Sequence, residues 1–307
     1  NDAGIETDAP LCVVNWTNEE GSRFAPATMA SAAYAGEYAT ENILGRRDAD
    51  GVSVADALDS IGYRGSEAVG SRKFAGFVEL HIEQGPILEA ENETIGVVER
   101  GQGIAWYDGS ITGFAGHAGT TPMPLRHDAL LALSELALAV EQAAITYGPN
   151  AVATIGEIKI ENASRNVVPG EIHFTIDARS GTADILDKLH DAFRKAVTEI
   201  AARRGVGIEL IPVWRKEPTV FNAGIVEAIA QSSRELGYAS RRMMSGAIHD
   251  ACNLSTVMPA AMIFVPCKDG ISHNELEDAT QADCTAGANV LLHTVLKLAG
   301  IADEKKG

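Results

Sequence analysis

Short apolar runs rich in β-branched residues alternate along this chain with longer segments of helical period. The clearest candidate strands are "LCVVNW", "FAGFVELHI" and "AAMIFV", and the alternation predicts an α/β protein with a mostly parallel central sheet. A short polar loop follows each of them, namely "TNEEGSRF", "EQGP" and "PCKDGISHNELE". Because ligands bind beyond the carboxyl ends of the strands in open α/β sheets, we expect these three loops to meet at one site.

The pattern changes between about residues 101 and 217, where the segments indicate four strands and two helices, the helices at 128–144 and 183–203. This set predicts an α+β domain inserted between two halves of the first domain. With 307 residues, the chain also exceeds the usual length of one domain. We therefore expect a first domain made of residues 1–100 and 218–307, and a second domain made of residues 101–217.

Composition and charge exclude several classes of partner. Hydrophobic residues make up 46% of the chain and charged residues 22%, which is typical of a globular protein. The 25 basic and 42 acidic side chains give a formal charge of −17, which repels nucleic acid and anionic lipid surfaces, although acidity also serves solubility. No run reaches the roughly 18 apolar residues of a membrane helix. We expect neither nucleic acid nor a membrane as a partner.

The cysteine pattern and the first residues bear on the cellular compartment. Cys12, Cys252, Cys267 and Cys284 form no CxxC pair and have no regular spacing. This indicates neither a zinc ribbon nor a disulfide framework. The start of the chain also lacks the basic and apolar regions of a signal peptide. We therefore expect reduced thiols and a cytoplasmic protein.

The stretch "FVELHIEQGP" places polar side chains in what should be a buried strand. Because successive side chains of a strand point to opposite faces, Glu79, His81 and Glu83 share one face and the apolar residues between them share the other. One face packs in the core. The other face either lines a functional site or is exposed to solvent.

Two adjacent carboxylates, Glu19 and Glu20, follow the first candidate strand, and neighbouring like charges there are costly unless a cation lies near them. His81 and His273 lie at the ends of the other two candidate strands, His81 just before the loop and His273 within it. Taken singly, these residues are compatible with a solvated turn, a hydrogen-bonded core histidine and a surface histidine. Together, one Glu and two His on three loops form the mixed oxygen and nitrogen set that zinc or manganese takes.

Two further segments indicate a site for a small anionic substrate. Small residues surround His117 in "GFAGHAGTTP", which lets backbone approach a ligand closely. Asn166 precedes a strand in "SRNVVPGEIHFTIDARSG" and Arg179 ends it, and a guanidinium with an amide nearby is a good clamp for a carboxylate. Surface salt bridging is the alternative, and Arg126 or Arg165 is an equally suitable anion partner.

At this level of detail the chain resembles the hydantoinase/carbamoylase amidases. This group contains N-carbamoyl-L-amino acid hydrolases, β-ureidopropionases and allantoate amidohydrolases, and it belongs to the di-zinc aminoacylase and carboxypeptidase superfamily. The resemblance rests on six motifs in order: "NEEGSRF", "FVELHIEQGPILE", "GHAGTTPMPLRHDAL", "NVVPGEIHFTIDAR", "SGAIHDA" and "MIFVPCKDGISHNELE". These motifs extend over nearly the whole chain, so the match is highly specific.

The resemblance implies a role for each matching residue. Glu19 would be the general base. Two divalent metal ions, zinc or manganese, would take three ligands from this chain, namely Glu20, His81 and His273. Substrate would be bound by five residues, namely Gln84, His117, Asn166, Arg179 and His249. His117 would also act in catalysis, because in relatives it reaches from a lid and dimerisation domain into the site of the partner subunit in a homodimer.

The chain departs from the family pattern upstream of the two glutamates. Relatives carry a metal-ligating histidine and a metal-bridging aspartate there, whereas no histidine precedes His81 and only Asp2 and Asp8 precede Glu19. Either the chain lacks an N-terminal segment, or its metal site is incomplete. The missing segment is favoured because four family residues are retained together, namely Glu19, Gln84, His117 and Arg179. Ile248 also stands where relatives often have glycine, which bears on the fit around His249.

The resemblance implies hydrolysis of the ureido C–N bond of a small molecule, an N-carbamoyl L-α or β amino acid, to the amino acid, ammonia and carbon dioxide. Allantoate amidohydrolase shares the motifs and remains an alternative. A non-catalytic amino-acid-binding relative with an incomplete metal site is the alternative from another class. An aminoacylase or dipeptidase is disfavoured by the motifs that contain Gln84 and His249.

Overall fold

A computed structural model describes residues 4–301 of the protein, so Asp2 lies outside the described residues. The chain divides into two compact units. Residues 4–101 and 220–301 form the first, and Gln102–Thr219 form the second. Both units combine helices with β-sheet, which confirms the predicted α/β class.

The first unit is built on a five-stranded sheet. Its strands are β1 (Phe77–Ile82), β2 (Ile95–Gly101), the two-residue β9 (Thr219–Val220), β10 (Ser240–Ser245) and β11 (Ala260–Val265). Their order is β1-β11-β2-β10, with β9 beside β2. β1 pairs with β11 in parallel, as β10 does with β2, whereas β11 and β2 are antiparallel. The sheet is therefore mixed, with two of these three pairings parallel.

Four of the helices in the described residues of this unit supply the core of the sheet, namely α4 (Ile87–Glu91), α7 (Ala223–Glu235), α8 (Asp250–Leu254) and α9 (Gln281–Ala299). Three others form a separate small core, namely α1 (Met29–Ala35), α2 (Thr40–Leu44) and α3 (Val54–Ser60). All six residues of β11 are buried, as expected of a continuous apolar strand covered on both faces. Asn222 and Thr280 cap the N-termini of α7 and α9 with their side chains, so both helices begin at good capping residues.

The second unit is a four-stranded antiparallel sheet with two long helices. Its elements are β3 (Gly103–Thr112), β4 (Gly116–His117), α5 (Ala129–Thr146), β5 (Ala151–Ile160), β6 (Val167–Val168), β7 (Glu171–Ser180), α6 (Ala183–Arg204) and β8 (Gly207–Lys216). The sheet order is β5-β7-β3-β8, and β4 pairs with β6 separately. Alternate residues of β3, such as Ala105, Tyr107 and Ile111, are buried in a cluster with side chains of both helices. This alternation fixes the face on which α5 and α6 pack.

One helix bears on the expectation about membrane segments. α5 is 18 residues long, and by length and composition alone it could cross a membrane. Its inward residues, including Ala132, Leu133, Leu136 and Val140, are buried in the core of the second unit. Apolar residues on the outer face, such as Leu138, make the helix more apolar than a typical amphipathic one.

The first candidate strand, residues 11–16, was predicted wrongly. The segment has no strand structure, and Val13 is 99% exposed. Trp16 nevertheless packs edge to face against Tyr34 and Phe77, with ring centroids 5.8 and 6.3 Å away. An apolar run becomes a strand only where a neighbouring strand pairs with it, and within residues 4–301 this segment has none.

Candidate functional site

The loop that carries Glu19 and Glu20 is closed by hydrogen bonds from its ends. The Asn18 side chain donates to the Phe24 carbonyl (2.7 Å) and accepts from the Phe24 amide (3.2 Å). The Thr28 amide donates to the Glu19 carbonyl at 2.7 Å. Because these bonds fix both sides of the loop, the two carboxylates are presented on a defined backbone.

His81 lies on β1 with one of its ring nitrogens already bonded. Its Nδ1 lies 2.8 Å from the carbonyl oxygen of Ile82. A carbonyl only accepts, so Nδ1 carries the hydrogen and Nε2 keeps its lone pair. Metal-binding histidines usually donate the hydrogen of their other ring nitrogen in this way, which fixes the tautomer and the orientation of the ring.

His249 precedes α8 and is buried, with 1% of its surface exposed. Its Nε2 lies 2.7 Å from Ser245 Oγ, whereas its Nδ1 is buried with no hydrogen-bond partner among the described residues. Burial, together with the nearby His81, lowers the pKa of His249 to about 3. The ring is therefore neutral at pH 7, and its nitrogen without a hydrogen can bind a metal ion.

Glu19, His81 and His249 form a group that fits a divalent cation. One ligand atom from each of the three lies within 4.8 Å of the other two. Carboxylate oxygen and neutral imidazole nitrogen are the donors that zinc and manganese take. The group differs from the predicted ligand set, since it contains His249 and Glu19 in place of Glu20 and His273.

Glu20 and His273 form a separate pair in the same region. The Nε2 of His273 lies 3.1 Å from Oε2 of Glu20, and both side chains are more than half exposed. Glu19, Glu20 and His273 come from two of the polar loops predicted to meet, and His81 lies near the end of β1, just before the third. The structure thus brings all four side chains into one region, with Glu19 subject to the charges of Glu20, His81 and His273.

The electrostatics of this region favour proton uptake by carboxylates. Burial raises the pKa of Glu19, and Glu20 raises it further, while His81 and His273 lower it in part. Burial also raises the pKa of Glu79 to about 8 and that of Asp250 to about 6. A glutamate with a raised pKa suits a general base, because its conjugate acid can return the proton near neutral pH.

The Gln84 and His273 loops pack directly on each other. Gln84 Nε2 donates to Ser272 Oγ at 3.0 Å, and a Cβ on Gly270 would lie 2.7 Å from the nitrogen of Pro86. Both Gln84 and His273 have left-handed backbone, with φ of 56° and 55°. Such conformations are costly for residues other than glycine and are typical of functional sites.

Glu83 has a structural role. It lies just beyond β1 and is buried, and its two carboxylate oxygens accept from the amides of Ile87 (2.9 Å) and Leu88 (2.7 Å). The carboxylate therefore caps the first turn of α4. Three polar residues share a face in "FVELHIEQGP". Since Glu83 caps α4, Glu79 and His81 are the two that are candidates for the functional site.

Two predicted substrate-binding residues of the second unit lie together. β4 pairs with β6 through His117 and Val167, and the Ala118 amide donates to the Asn166 carbonyl at 2.9 Å. His117 is exposed, and its Nδ1 accepts hydrogen bonds from the amides of Gly119 (3.0 Å) and Thr120 (3.2 Å). His117 and Asn166 are therefore held on adjacent backbone.

Arg179 is oriented by a residue that the sequence analysis does not identify. Its Nε and Nη2 donate to the two oxygens of Asp177 at 3.0 and 2.9 Å, and Trp106 Nε1 donates to Asp177 Oδ2 at 2.9 Å. Asp177 shares a strand face with Arg179 because the two are two residues apart in β7. That spacing is the signal in the sequence that could have identified it.

Glu79 and Asp250 are also absent from the predicted site. Glu79 Oε2 accepts from the Ala251 amide at 2.7 Å, so β1 is joined to the start of α8 beside His249. Asp250 is buried, and its Oδ1 has no hydrogen-bond partner among residues 4–301. The alternation of "FVELHIEQGP" indicates Glu79, whereas the position of Asp250 depends on tertiary contacts.

The comparisons with known proteins agree with this geometry. The sequence model of peptidase family M20/M25/M40 matches residues 1–297. The chain belongs to this family. The family comprises metal-dependent hydrolases that act on C–N bonds, which agrees with the cation-compatible group at Glu19, His81 and His249.

Relatives place the chain among the hydantoinase/carbamoylase amidases of the M20 family. The chain is 43% identical over 303 residues to an N-carbamoyl-L-amino-acid amidohydrolase of Rhizobium meliloti, covering 99% of this chain and 73% of that protein. A hydantoinase/carbamoylase family amidase from Burkholderia multivorans has a similar structure, with a TM-score of 0.93, 47% identity and coverage of 97% and 72%. A ureidoglycolate hydrolase of Oryza sativa is 32% identical, with coverage of 96% and 63%. The predicted family resemblance is confirmed.

Proposed function

We propose that this M20 family member hydrolyses the ureido C–N bond of N-carbamoyl amino acids to the amino acid, ammonia and carbon dioxide. The observation that carries the proposal is the meeting of Glu19, His81 and His249, whose ligand atoms lie within 4.8 Å of one another. The names of the similar amidohydrolases supply the substrate class.

Two divalent metal ions, zinc or manganese, would be held by Glu20, His81 and His273, with His249 packed against His81. Bound metal would supply Lewis acidity, which lowers the pKa of a water molecule and polarises the carbamoyl oxygen. The free Nε2 of His81 and the buried, neutral ring of His249 support this assignment.

Glu19 would act as the general base. It accepts a proton from the attacking water and returns it to the leaving nitrogen, so the same carboxyl group serves both halves of the reaction. The raised pKa of Glu19 supports this role, because burial brings its proton affinity closer to the pH at which the enzyme works.

The remaining roles concern the substrate. Arg179 and Asn166 would hold its carboxylate, with Asp177 orienting the guanidinium. Gln84 would bind the ureido group, and His117 would donate its Nε2–H to the carbamoyl oxygen as negative charge develops there. One such preorganised donor typically contributes about 3 to 4 kcal/mol to transition-state stabilisation.

We further propose a homodimer in which the second unit serves as lid and dimerisation domain and His117 acts in the partner's site. A cytoplasmic location is also proposed, supported by four cysteines that are all free thiols. Sedimentation equilibrium of the purified protein tests the dimer directly, since a monomer at all concentrations would contradict it.

A second candidate reaction is favoured by one observation. The chain is 32% identical to a ureidoglycolate hydrolase, whose name indicates a ureido substrate outside the carbamoyl amino acids. Hydrolysis of allantoate or a related ureido compound therefore remains the alternative.

Ammonia release from N-carbamoyl-L-amino acids, N-carbamoyl-β-alanine and allantoate, measured side by side, tests the proposed function. We expect kcat/KM to be highest for an N-carbamoyl amino acid. A higher value for allantoate would favour the alternative. Hydrolysis of none of them by metal-loaded protein would refute the proposal.

A further inference from the structure

The ring of His117 is held in one tautomer by its own loop. Its Nδ1 accepts from the amides of Gly119 and Thr120 at 3.0 and 3.2 Å. Since both partners are donors, Nδ1 carries no hydrogen, and the hydrogen of the neutral ring is on Nε2. The ring therefore offers one donor, Nε2–H, whose direction is set by the backbone of residues 118–120.

The guanidinium of Arg126 holds the same stretch of backbone from the other end of the loop. Its Nη2 donates to the carbonyl of Ala118 at 2.6 Å and its Nε donates to the carbonyl of Thr121 at 3.0 Å. These carbonyls lie on either side of the two residues whose amides bind His117. Arg126 is half-buried, and across residues 4–301 no carboxylate lies within ion-pair distance of it.

Backbone hydrogen bonds and a close approach of its two ends also hold this loop. The Thr121 amide donates to the His117 carbonyl at 3.1 Å, which closes a single turn. A Cβ on Gly116 would lie 2.9 Å from Thr121 Oγ1, so glycine permits the two ends to meet. Residues 118–120 between these points are tied by the Ala118 amide to Asn166 and by the Arg126 guanidinium.

We propose that Arg126 is a positioning residue for His117. By fixing the carbonyls of Ala118 and Thr121, it keeps the amides of Gly119 and Thr120 aimed at Nδ1 and so keeps Nε2 protonated and correctly directed. This inference rests on the proposed function for its catalytic consequence, whereas its structural half concerns His117 alone. The sequence leaves open whether Arg126 binds an anion. In the structure its Nη2 and Nε donate to carbonyls of the loop instead.

The structural half is tested by the ring nitrogens of His117 in protein labelled with ¹⁵N-histidine. Long-range ¹H–¹⁵N correlation, assigned with a His117→Gln variant, is expected to show a hydrogen on Nε2 and none on Nδ1 in the unaltered protein. In Arg126→Met, which keeps an unbranched side chain without the donors, we expect the two nitrogens to move towards an average of both tautomers. A hydrogen on Nδ1 in the unaltered protein would overturn the proposal.

The catalytic half is tested by the kinetics of the same variant on an N-carbamoyl amino acid. Misdirection of one donor predicts a kcat about 10- to 100-fold lower, with KM changed far less. Arg126→Lys, which restores one donor, should recover part of the loss in kcat and sharpen the ring signals. Arg194→Met, on the exposed surface of α6, should leave both readouts unchanged.

The outcomes separate this inference from the proposed function. If the unaltered protein hydrolyses no ureido substrate but the ring signals of His117 respond to Arg126→Met, the positioning stands and the reaction is wrong. If the protein is an active carbamoylase and Arg126→Met changes neither kcat nor the ring signals, the positioning role is wrong. Should Arg126→Met fail to fold, the tautomer in the unaltered protein and the response of Arg126→Lys decide the matter.

Discussion

The rings of His81 and His249 meet edge to face, with their centroids 4.6 Å apart, although they come from the two separate segments of the first unit. Phe264 contacts both rings, with centroids 6.4 and 5.5 Å away. His81 is thus fixed by its bond to the Ile82 carbonyl on one side and by His249 on another. The orientation of the predicted metal ligand depends on a residue predicted to bind substrate.

This contact predicts that His249→Ala weakens metal binding. Removing the neighbouring ring frees His81 to rotate, and loss of such supporting contacts typically lowers metal affinity about 10- to 100-fold. Calorimetric titration with zinc or manganese measures the effect. His293→Ala, on the exposed face of α9, is the matched control and should bind as the unaltered protein does. Equal affinities for the two variants would contradict the account of His249.

Glu19→Gln should abolish most activity without loss of the fold. The amide keeps the size of the side chain but cannot accept the proton, so we expect kcat to fall about 10²- to 10⁴-fold. Metal content by elemental analysis should be unchanged. The exposed Glu37→Gln serves as control and should retain full activity. Persistent activity in Glu19→Gln would show that Glu19 is not the base. Loss of metal from the variant would show that Glu19 is a metal ligand instead.

Asp177→Asn should weaken substrate binding rather than turnover. The neutral amide cannot accept both guanidinium bonds, so Arg179 loses its fixed orientation. We expect KM for an N-carbamoyl amino acid to rise about 10-fold, and Arg179→Ala to raise it by about 10- to 100-fold, as expected for a charge-assisted bond. Steady-state kinetics measure both. An unchanged KM in Arg179→Ala would exclude it from the clamp, and Asp191→Asn on α6 is the control.

Glu135 offers a prediction about pH. Arg203 and Arg204 donate to its carboxylate and join α5 to α6, which lowers the pKa of Glu135. A carboxyl group with a lowered folded-state pKa stabilises the protein above its unfolded value of 4.5, and this contribution is lost as pH falls through the folded value. Glu135→Gln should therefore destabilise the protein by about 1 kcal/mol at pH 7. Urea unfolding at pH 7 and near pH 3 should show this difference vanish in acid; a difference independent of pH would contradict the ion pairs.

The long helices were predictable because periodicity and capping agree. α6 follows Thr182, whose side chain accepts from the Ile185 amide, and ends at Gly205 with φ of 66°. β10 is not among the predicted strands, because Ser240–Ser245 has two arginines and two methionines and none of the β-branched residues that indicate a strand. Its pairing with β2 is decided by tertiary contacts that no local pattern contains.

The meeting of the loops after β1 and β11 could be predicted, since these parallel neighbours end at one edge of the sheet. The Glu19 loop joins them although residues 11–16 before it form no strand. The contact partner of each side chain in the site could not be predicted. His249 joins Glu19 and His81 only because α8 packs beside β1, where Ala251 donates to Glu79. Likewise, nothing in the order of residues indicates that Glu20 pairs with His273.

Anomalous X-ray scattering from crystals grown with zinc locates the metal ions. We expect a zinc ion bonded to Nε2 of His81, a second within bonding distance of Glu20 and His273, and a Glu19 carboxylate left unbonded to receive a proton. Zinc bound elsewhere, or His81 turned so that Nε2 faces no ion, would contradict this expectation.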